Sequence, residues 1–326
     1  MKEIQFTDID KIKVGHAQNV DAATGCTVIL CEDGATGGVA VRGGAPGTRE
    51  TDLLNPTEMI EKIHAVVLAG GSAFGLDASS GVMEYLENKN IGFDVGVAKV
   101  PIVCSAVLFD LVIGNSKIRP DKSMGYDACK FSETNTKDLN GNIGAGCGAT
   151  IGKILGPKSS MKSGLGSYAI QIGDLKIGAI VAVNALGDVI NPSTGEILAG
   201  ALNYDTLEFL NTEKVLINEY QNKSNRFNCN TTIGLIATNA KLNKAEANKV
   251  ASIAHNGFAK SIYPVHTMHD GDTIFTMCTN LVEADVSTVG MLASKVMENA
   301  IIRAVNTAET FNNTISRSDL LNKLNK

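Results

Sequence analysis

The sequence predicts an α+β fold with helices outside packed antiparallel sheets. Short apolar runs flanked by Gly or Asp recur along the chain and read as strands. Longer stretches repeat their apolar residues near the helical period of about 3.6. The two kinds do not alternate in a strict βαβ rhythm: strand pairs come first and helix pairs follow, which suggests layers.

In chain order, the strand segments are Cys26–Cys31, Gly37–Arg42, Ala65–Leu68, Ile177–Val183, Thr231–Thr238 and Thr273–Thr279. Helices are predicted over Asn55–Ile63, Gly75–Asn90, Lys241–Ala259 and Asp285–Thr310. In the last of these, Val286, Val289, Leu292 (or Ala293), Val296, Ile301 and Val305 mark one face. The amide-rich stretch Asn218 to Asn230 reads as an exposed loop, and the β-branched run TTIGLIAT follows it at once.

Composition narrows the function. The 326 residues carry 29 Lys plus Arg against 34 Asp plus Glu, a net charge of −5. Without a basic excess, phosphate neutralisation is unsupported, so nucleic acid is not an expected partner. Hydrophobics at 44% and charged residues at 19% exclude a disordered chain. Glycine supplies 33 residues and tryptophan none, so packing relies on small and aliphatic side chains. The opening MKEIQFTDIDK has no apolar core of a secretory signal. The longest apolar stretch, around Ile177 to Leu186, falls well short of the ~20 residues of a membrane helix. Seven cysteines without a CxxC pair read as reduced, mostly buried thiols of a cytoplasmic protein.

Three local patterns approach known motifs and fail. GAGCGATIGK (144–153) resembles a phosphate loop, but Cys147 stands where its first Gly belongs and Ile154 where Ser or Thr should follow the Lys. Gly70-Gly71-Ser72-Ala73-Phe74 resembles a nucleophile elbow, but Phe74 occupies the second Gly position, so a Gly-rich strand-to-helix turn is the better reading. His266, His269, Asp270 and Asp272 are permissible metal ligands, yet Pro264 makes the segment a loop and Asp270-Gly271-Asp272 reads as a turn.

Taken together in order, six stretches carry more. They are VRGGAPGTRETDLLNP (41–56), HAVVLAGGSAFGLDASSGVMEYL (64–86), GAGCGATIGK (144–153), AIVAVNALGDVINP (179–192), NTTIGLIATNAKL (230–242) and YPVHTMHDGDTIF (263–275). The set resembles the peptidases of the DmpA or S58 group, which include D-aminopeptidase/esterases, β-peptidyl aminopeptidases and the endo-type 6-aminohexanoate-oligomer (nylon-oligomer) hydrolase. The resemblance runs from about residue 8 to residue 310.

It implies an αββα sandwich, N-terminal-nucleophile-like, of the DmpA/ornithine-acetyltransferase type. It also implies a single domain over 1–326 that cuts itself once, between Asn230 and Thr231, into chains 1–230 and 231–326. The Asn-Thr pair points to the nylon-oligomer-hydrolase branch, where relatives of the other branch have Gly-Ser. Thr232 is the rival, one residue out of register. By position, Lys153 matches the group's active-site lysine, Asn184 the amide serving the oxyanion, and Asp270 and Asp272 the acidic pair. Some relatives place a Tyr near the segment that reads VLFDL here; this chain has Phe109, with Tyr126 as a possible substitute.

Elementary chemistry agrees with that reading. A Thr hydroxyl is a weak nucleophile until a base takes its proton. Freed at an N-terminus, Thr231 would gain an α-amine with a pKa near ~8, a base on the same residue. The bland reading of Thr231 is a β-strand's first residue, that of Lys153 a surface lysine, and that of Asn184 a strand-ending Asn. Asp270 and Asp272, at i and i+2, share one face of an extended segment.

The expected activity is hydrolysis of a small peptide or amide, such as a D-aminoacyl amide, a β-peptide or an ω-amino-acid oligomer. No metal or organic cofactor, nucleic acid or membrane is expected; relatives imply a tetramer of the cleaved pair. The alternatives are acyl transfer of the ornithine-acetyltransferase type, a non-catalytic ligand-binding homologue, and a metal-dependent hydrolase using His266, His269 and the aspartates.

Overall fold

The strands expected at Cys26–Cys31 and Gly37–Arg42 are one 18-residue strand, Thr24–Val41, in the computed structural model, which describes residues 1–134, 139–221 and 230–325. It belongs to a 10-stranded sheet. Numbered along the chain, its strands are β1 (Lys2–Ile4), β2 (Lys13–Asn19), β3 (Thr24–Val41), β4 (Thr48–Arg49), β5 (Lys62–Ala69), β6 (Val103–Val107), β7 (Leu165–Ile172), β8 (Leu175–Asn184), β9 (Thr231–Ala240) and β10 (Thr273–Val282). The order is β1-β7-β8-β9-β10-β3-β5-β6-β4, with β2 also on β3.

The first half of β3 pairs with β2 and β5; its end, Thr36–Val41, pairs with β10. Between them the register against β5 slips, from Leu30 to Ala35, around Gly34 at φ +76°. A bulge of this kind bends a strand, and here it carries the chain from one half of the sheet to the other.

Three apolar clusters show the layering. Ile177, Ala179 and Val181 of β8 pack against Val250, Ala254 and Phe258 of α4 (Lys244–Ser261) and against Val289 and Val296 of α5 (Val286–Asn306). The opposite face of the same half, with Ile180, Ile233, Leu235 and Phe275, meets Val66, Leu68 and Cys104 of the other half. That other half turns Val28, Ala65 and Val67 toward Val82 and Leu86 of α1 (Ala78–Asn88) and Ala128 of α2 (Lys122–Phe131). The layers are therefore helix, sheet, sheet, helix, the αββα sandwich expected. Because both faces of β8 and β9 are buried, their sequences are continuous apolar runs rather than alternating ones.

Some expectations need correction. Asn55–Ile63 is not a helix: a short 3-10 turn, Asp52–Leu54, ends at Asn55, which is extended at φ −59°, ψ 135°. Pro56 disfavours helical geometry in the residue before it, and Lys62 already starts β5. The sheet is also not wholly antiparallel, since β9–β10 and β5–β6 run parallel. Each pair is joined through a crossover helix, α4 and α1, as parallel neighbours require.

The helices α2, α3 (Thr212–Gln221) and α6 (Arg317–Leu324) were not foreseen. Predicted helices start at their caps: Asn243 and Glu246 form a capping box for α4, and Asp285 accepts the Thr288 N–H at 2.8 Å for α5.

The six described cysteines are free and buried, while Cys229 lies outside the described residues. Among the described residues, no helix is long and apolar enough to cross a membrane.

Candidate active site

Strand pairing builds the centre of the site. The last residue of β8, Asn184, lies directly opposite the first residue of β9, Thr231. Because β10 is parallel to β9, the loop entering β10 arrives at the same end of the sheet. That loop, residues 264–272, carries the acidic pair to Thr231, and Asn230 and Asp270 form a bridge there.

Contacts around Thr231 are dense. The Gly271 N–H points at both the Thr231 Oγ1 (3.2 Å) and the Asn230 carbonyl oxygen (3.1 Å). The Thr231 hydroxyl itself donates to that same carbonyl. Glycine is required at 271, because a Cβ there would stand 2.8 Å from the Thr231 Oγ1. Thr232 faces the other way on the strand: its N–H donates to Asp272 Oδ1 at 2.8 Å, while its own hydroxyl has no partner.

The two aspartates are buried and differently held. Asp270 Oδ2 accepts from the Thr267 N–H (2.8 Å) and the Thr267 hydroxyl (2.6 Å). Asp272 Oδ2 accepts from the His266 N–H (3.1 Å) and faces His266 Nδ1 at 2.8 Å. Burial, and next the neighbouring Asp272 charge, push the Asp270 carboxyl above the usual range; the Thr267 bonds and the Lys153 charge oppose this.

Lys153 is buried, not a surface lysine. Its Nζ donates to the Asn184 carbonyl (2.8 Å) and to Asn184 Oδ1 (2.7 Å). Asn184 Oδ1 also takes the Thr150 N–H at 3.0 Å, and its Nδ2 donates to the Phe109 carbonyl at 2.9 Å. These partners fix which end of the amide is which, and one N–H of Nδ2 remains beyond the bond to Phe109. The turn before Lys153 needs Gly152, at φ +70°, where a Cβ would lie 2.0 Å from the Ala201 nitrogen.

All five predicted residues thus meet at one end of β8 and β9. The cutting-loop expectation is corrected: Asn218 is part of α3, residues 222–229 lie outside the described residues, and Asn230 and Thr231 are buried rather than exposed. The reason is that the Asn230 N–H and carbonyl are tied to the His269 carbonyl and the Gly271 N–H. Tyr126 lies away in the α1–α2 layer, edge-on to Tyr85 at 5.7 Å.

Sequence reasoning missed Gly271 and Asp110, and weighed His266 only as a metal ligand. Asp110 is buried, accepts the Gly71 N–H (2.7 Å) and the Thr24 hydroxyl (2.8 Å), and is pushed up to about 6 by burial. It anchors the Gly70–Gly71 turn that leads through a 3-10 segment into α1, which confirms that turn as structural. Its signal was the VLFDL segment, singled out only for Phe109.

Comparison with known proteins follows the same lines. The profile of Peptidase family S58 matches residues 5–318. An uncharacterised aminopeptidase of Mycobacterium leprae is 37% identical over 94% of this chain and 91% of its own. A 6-aminohexanoate-oligomer endohydrolase of Kocuria sp. is 31% identical over 91% of this chain and 84% of its own. Among solved structures, the L-aminopeptidase D-Ala-esterase/amidase of Ochrobactrum anthropi superimposes with a TM-score of 0.71 at 16% identity, covering 98% of this chain and 94% of that one, and its fold is described as a variant of the Ntn-hydrolase fold. With the match spanning nearly the whole chain, this protein belongs to peptidase family S58 and is a hydrolase of C–N bonds.

Proposed function

We propose that this hydrolase is self-processing and that Thr231 is its nucleophile. The observation that carries the reading is the Gly271 N–H, which serves the hydroxyl and the carbonyl of one peptide unit at once. In the uncut chain, the Thr231 Oγ1 attacks the Asn230 carbonyl carbon, and the Gly271 N–H stabilises the oxygen as it becomes negative. The C–N bond then breaks as the hydroxyl's proton passes to the nitrogen, leaving an ester on the Thr231 oxygen and a free amine on Thr231. Water cleaves the ester, giving chains 1–230 and 231–326.

In the cut protein, that amine takes the hydroxyl's proton as Thr231 attacks a substrate amide. Asn184 Nδ2 offers its remaining N–H to the tetrahedral oxygen, and Lys153 holds the Asn184 amide in place. The amine of the substrate leaves, and water releases the acyl group from Thr231. The relatives' names support a small peptide or an ω-amino-acid oligomer as substrate, and association of cleaved pairs into a tetramer belongs to the same reading.

Denaturing electrophoresis with N-terminal sequencing tests it. Purified wild-type protein should give two bands, the smaller beginning Thr-Thr-Ile, and Thr231→Ala should give one inactive band. Full activity in an uncut chain would refute the reading.

A further inference from the structure

We propose that His266 is a positioning residue for this site, holding the Asp272 carboxylate in register with the start of β9. The inference rests on the Thr231 reading and adds a residue to it.

His266 grips Asp272 Oδ2 twice, through its backbone N–H at 3.1 Å and its ring Nδ1 at 2.8 Å. A carboxylate only accepts, so the proton sits on Nδ1. The other oxygen, Oδ1, is then free to take the Thr232 N–H at 2.8 Å, one residue from the nucleophile. The double grip needs an unusual backbone: His266 lies in the left-handed region at φ +58°. Few non-glycine residues adopt that conformation.

The ring is set by packing as well. It stacks on Phe258 of α4 at 6.1 Å and meets His255 of α4 edge-on at 4.8 Å. His255 donates from Nε2 to the Ala40 carbonyl at 2.9 Å, and burial depresses it to about 4, so it brings no charge against His266 at neutral pH. The other charged groups around the pair are Asp270 in the same loop, Lys153, whose charge acts on Asp270, and Arg42 at the end of β3. Arg42 turns its guanidinium to Ser252 and gives only its backbone N–H to the Asp272 carbonyl. His266 therefore supplies the side-chain donor that holds Asp272 Oδ2 in place.

Losing that donor should let the Asp272 carboxylate drift from its register with the Thr232 N–H. In the full-length protein, His266→Ala should lower kcat on a chromogenic amide about tenfold and leave KM within about twofold. Chain cleavage, followed by electrophoresis, should slow with it. His266→Asn keeps a side-chain N–H and suits the left-handed backbone, so it should recover most of the rate. Where His266→Ala melts too low to assay, His266→Phe keeps the stacking without the donor and should show the same loss.

An unchanged kcat in the variants without a donor overturns the proposal, as does equal loss in His266→Asn. Thr231→Ala, run alongside, separates the two readings. Activity surviving there refutes the nucleophile, whereas an inactive Thr231→Ala with an unchanged kcat in His266→Ala refutes only the role of His266.

Discussion

Thr231 and Asn184 are held by a ladder, whereas Asp270 and Asp272 are held by a loop. In the ladder, the pairing of β8 with β9 continues from Ile177 opposite Thr238 to Asn184 opposite Thr231, so the position of the last pair follows from all those before it. In the loop, a few hydrogen bonds from Thr267, His266 and Thr232 set each carboxylate. Ladder geometry is shared over many residues and is hard to shift by one substitution. Loop geometry is local and can be altered one contact at a time.

Four substitutions or conditions sharpen this contrast, beginning with the largest effect. Asn184→Ala removes the donor at the end of the ladder and should lower kcat roughly 10²- to 10³-fold, with KM little changed, in steady-state kinetics. Ile236→Ala, in the buried middle of β9, should cost about 3 kcal/mol in denaturant unfolding while leaving kcat per folded molecule near wild type. Equal kcat losses in the two would mean that the ladder transmits strain to its end.

Gly271→Ala tests the loop directly. Its Cβ would lie 2.8 Å from the Thr231 Oγ1 and 2.9 Å from the Ala45 carbonyl, so chain cleavage, timed by electrophoresis, should slow about tenfold. The last prediction concerns pH and is read in stability rather than in rate. Burial lowers His16 and His255 from 6.5 to about 4, so the unfolded chain binds more protons between those values. Stability present above pH 6.5 should therefore fall as the solution is acidified toward pH 4, by an amount on the order of 3 kcal/mol for each histidine, read from melting curves.

Much of this architecture was legible because β8, β9 and β10 bury both faces. Their runs IGAIVAV, TTIGLIAT and TIFTMCT stand out without any partner being known. The missed strand β2, KVGHAQN, is half polar and signals nothing by itself. Likewise, α2 offers only Met124, Ala128 and Cys129 as an apolar stripe, too few to separate it from a turn. Asn55–Ile63 misled because the constraint from Pro56 outweighed the helical look of Thr57–Ile63.

At the site, the five residue types were named from ordered motifs, but their meeting was not readable. That Asn184 stands opposite Thr231 is a fact of register between strands far apart in sequence. Gly271 and His266 lay inside a quoted motif, yet no residue letter records the direction of the Gly271 N–H or of the His266 ring.

The place of β9 and β10 in the sheet fixes an order of events. Both lie on the C-terminal side of the Asn230–Thr231 bond, and their outer neighbours, β8 and β3, lie on the N-terminal side. Two pieces severed at that bond stay clasped, since parting them means unzipping two rows of backbone hydrogen bonds in the middle of the protein. Pieces synthesised apart would each have to find the other with bare strand edges exposed, a route toward aggregation. On the proposed self-processing reading, scission therefore belongs after folding, as the final act of a chain already in its working shape.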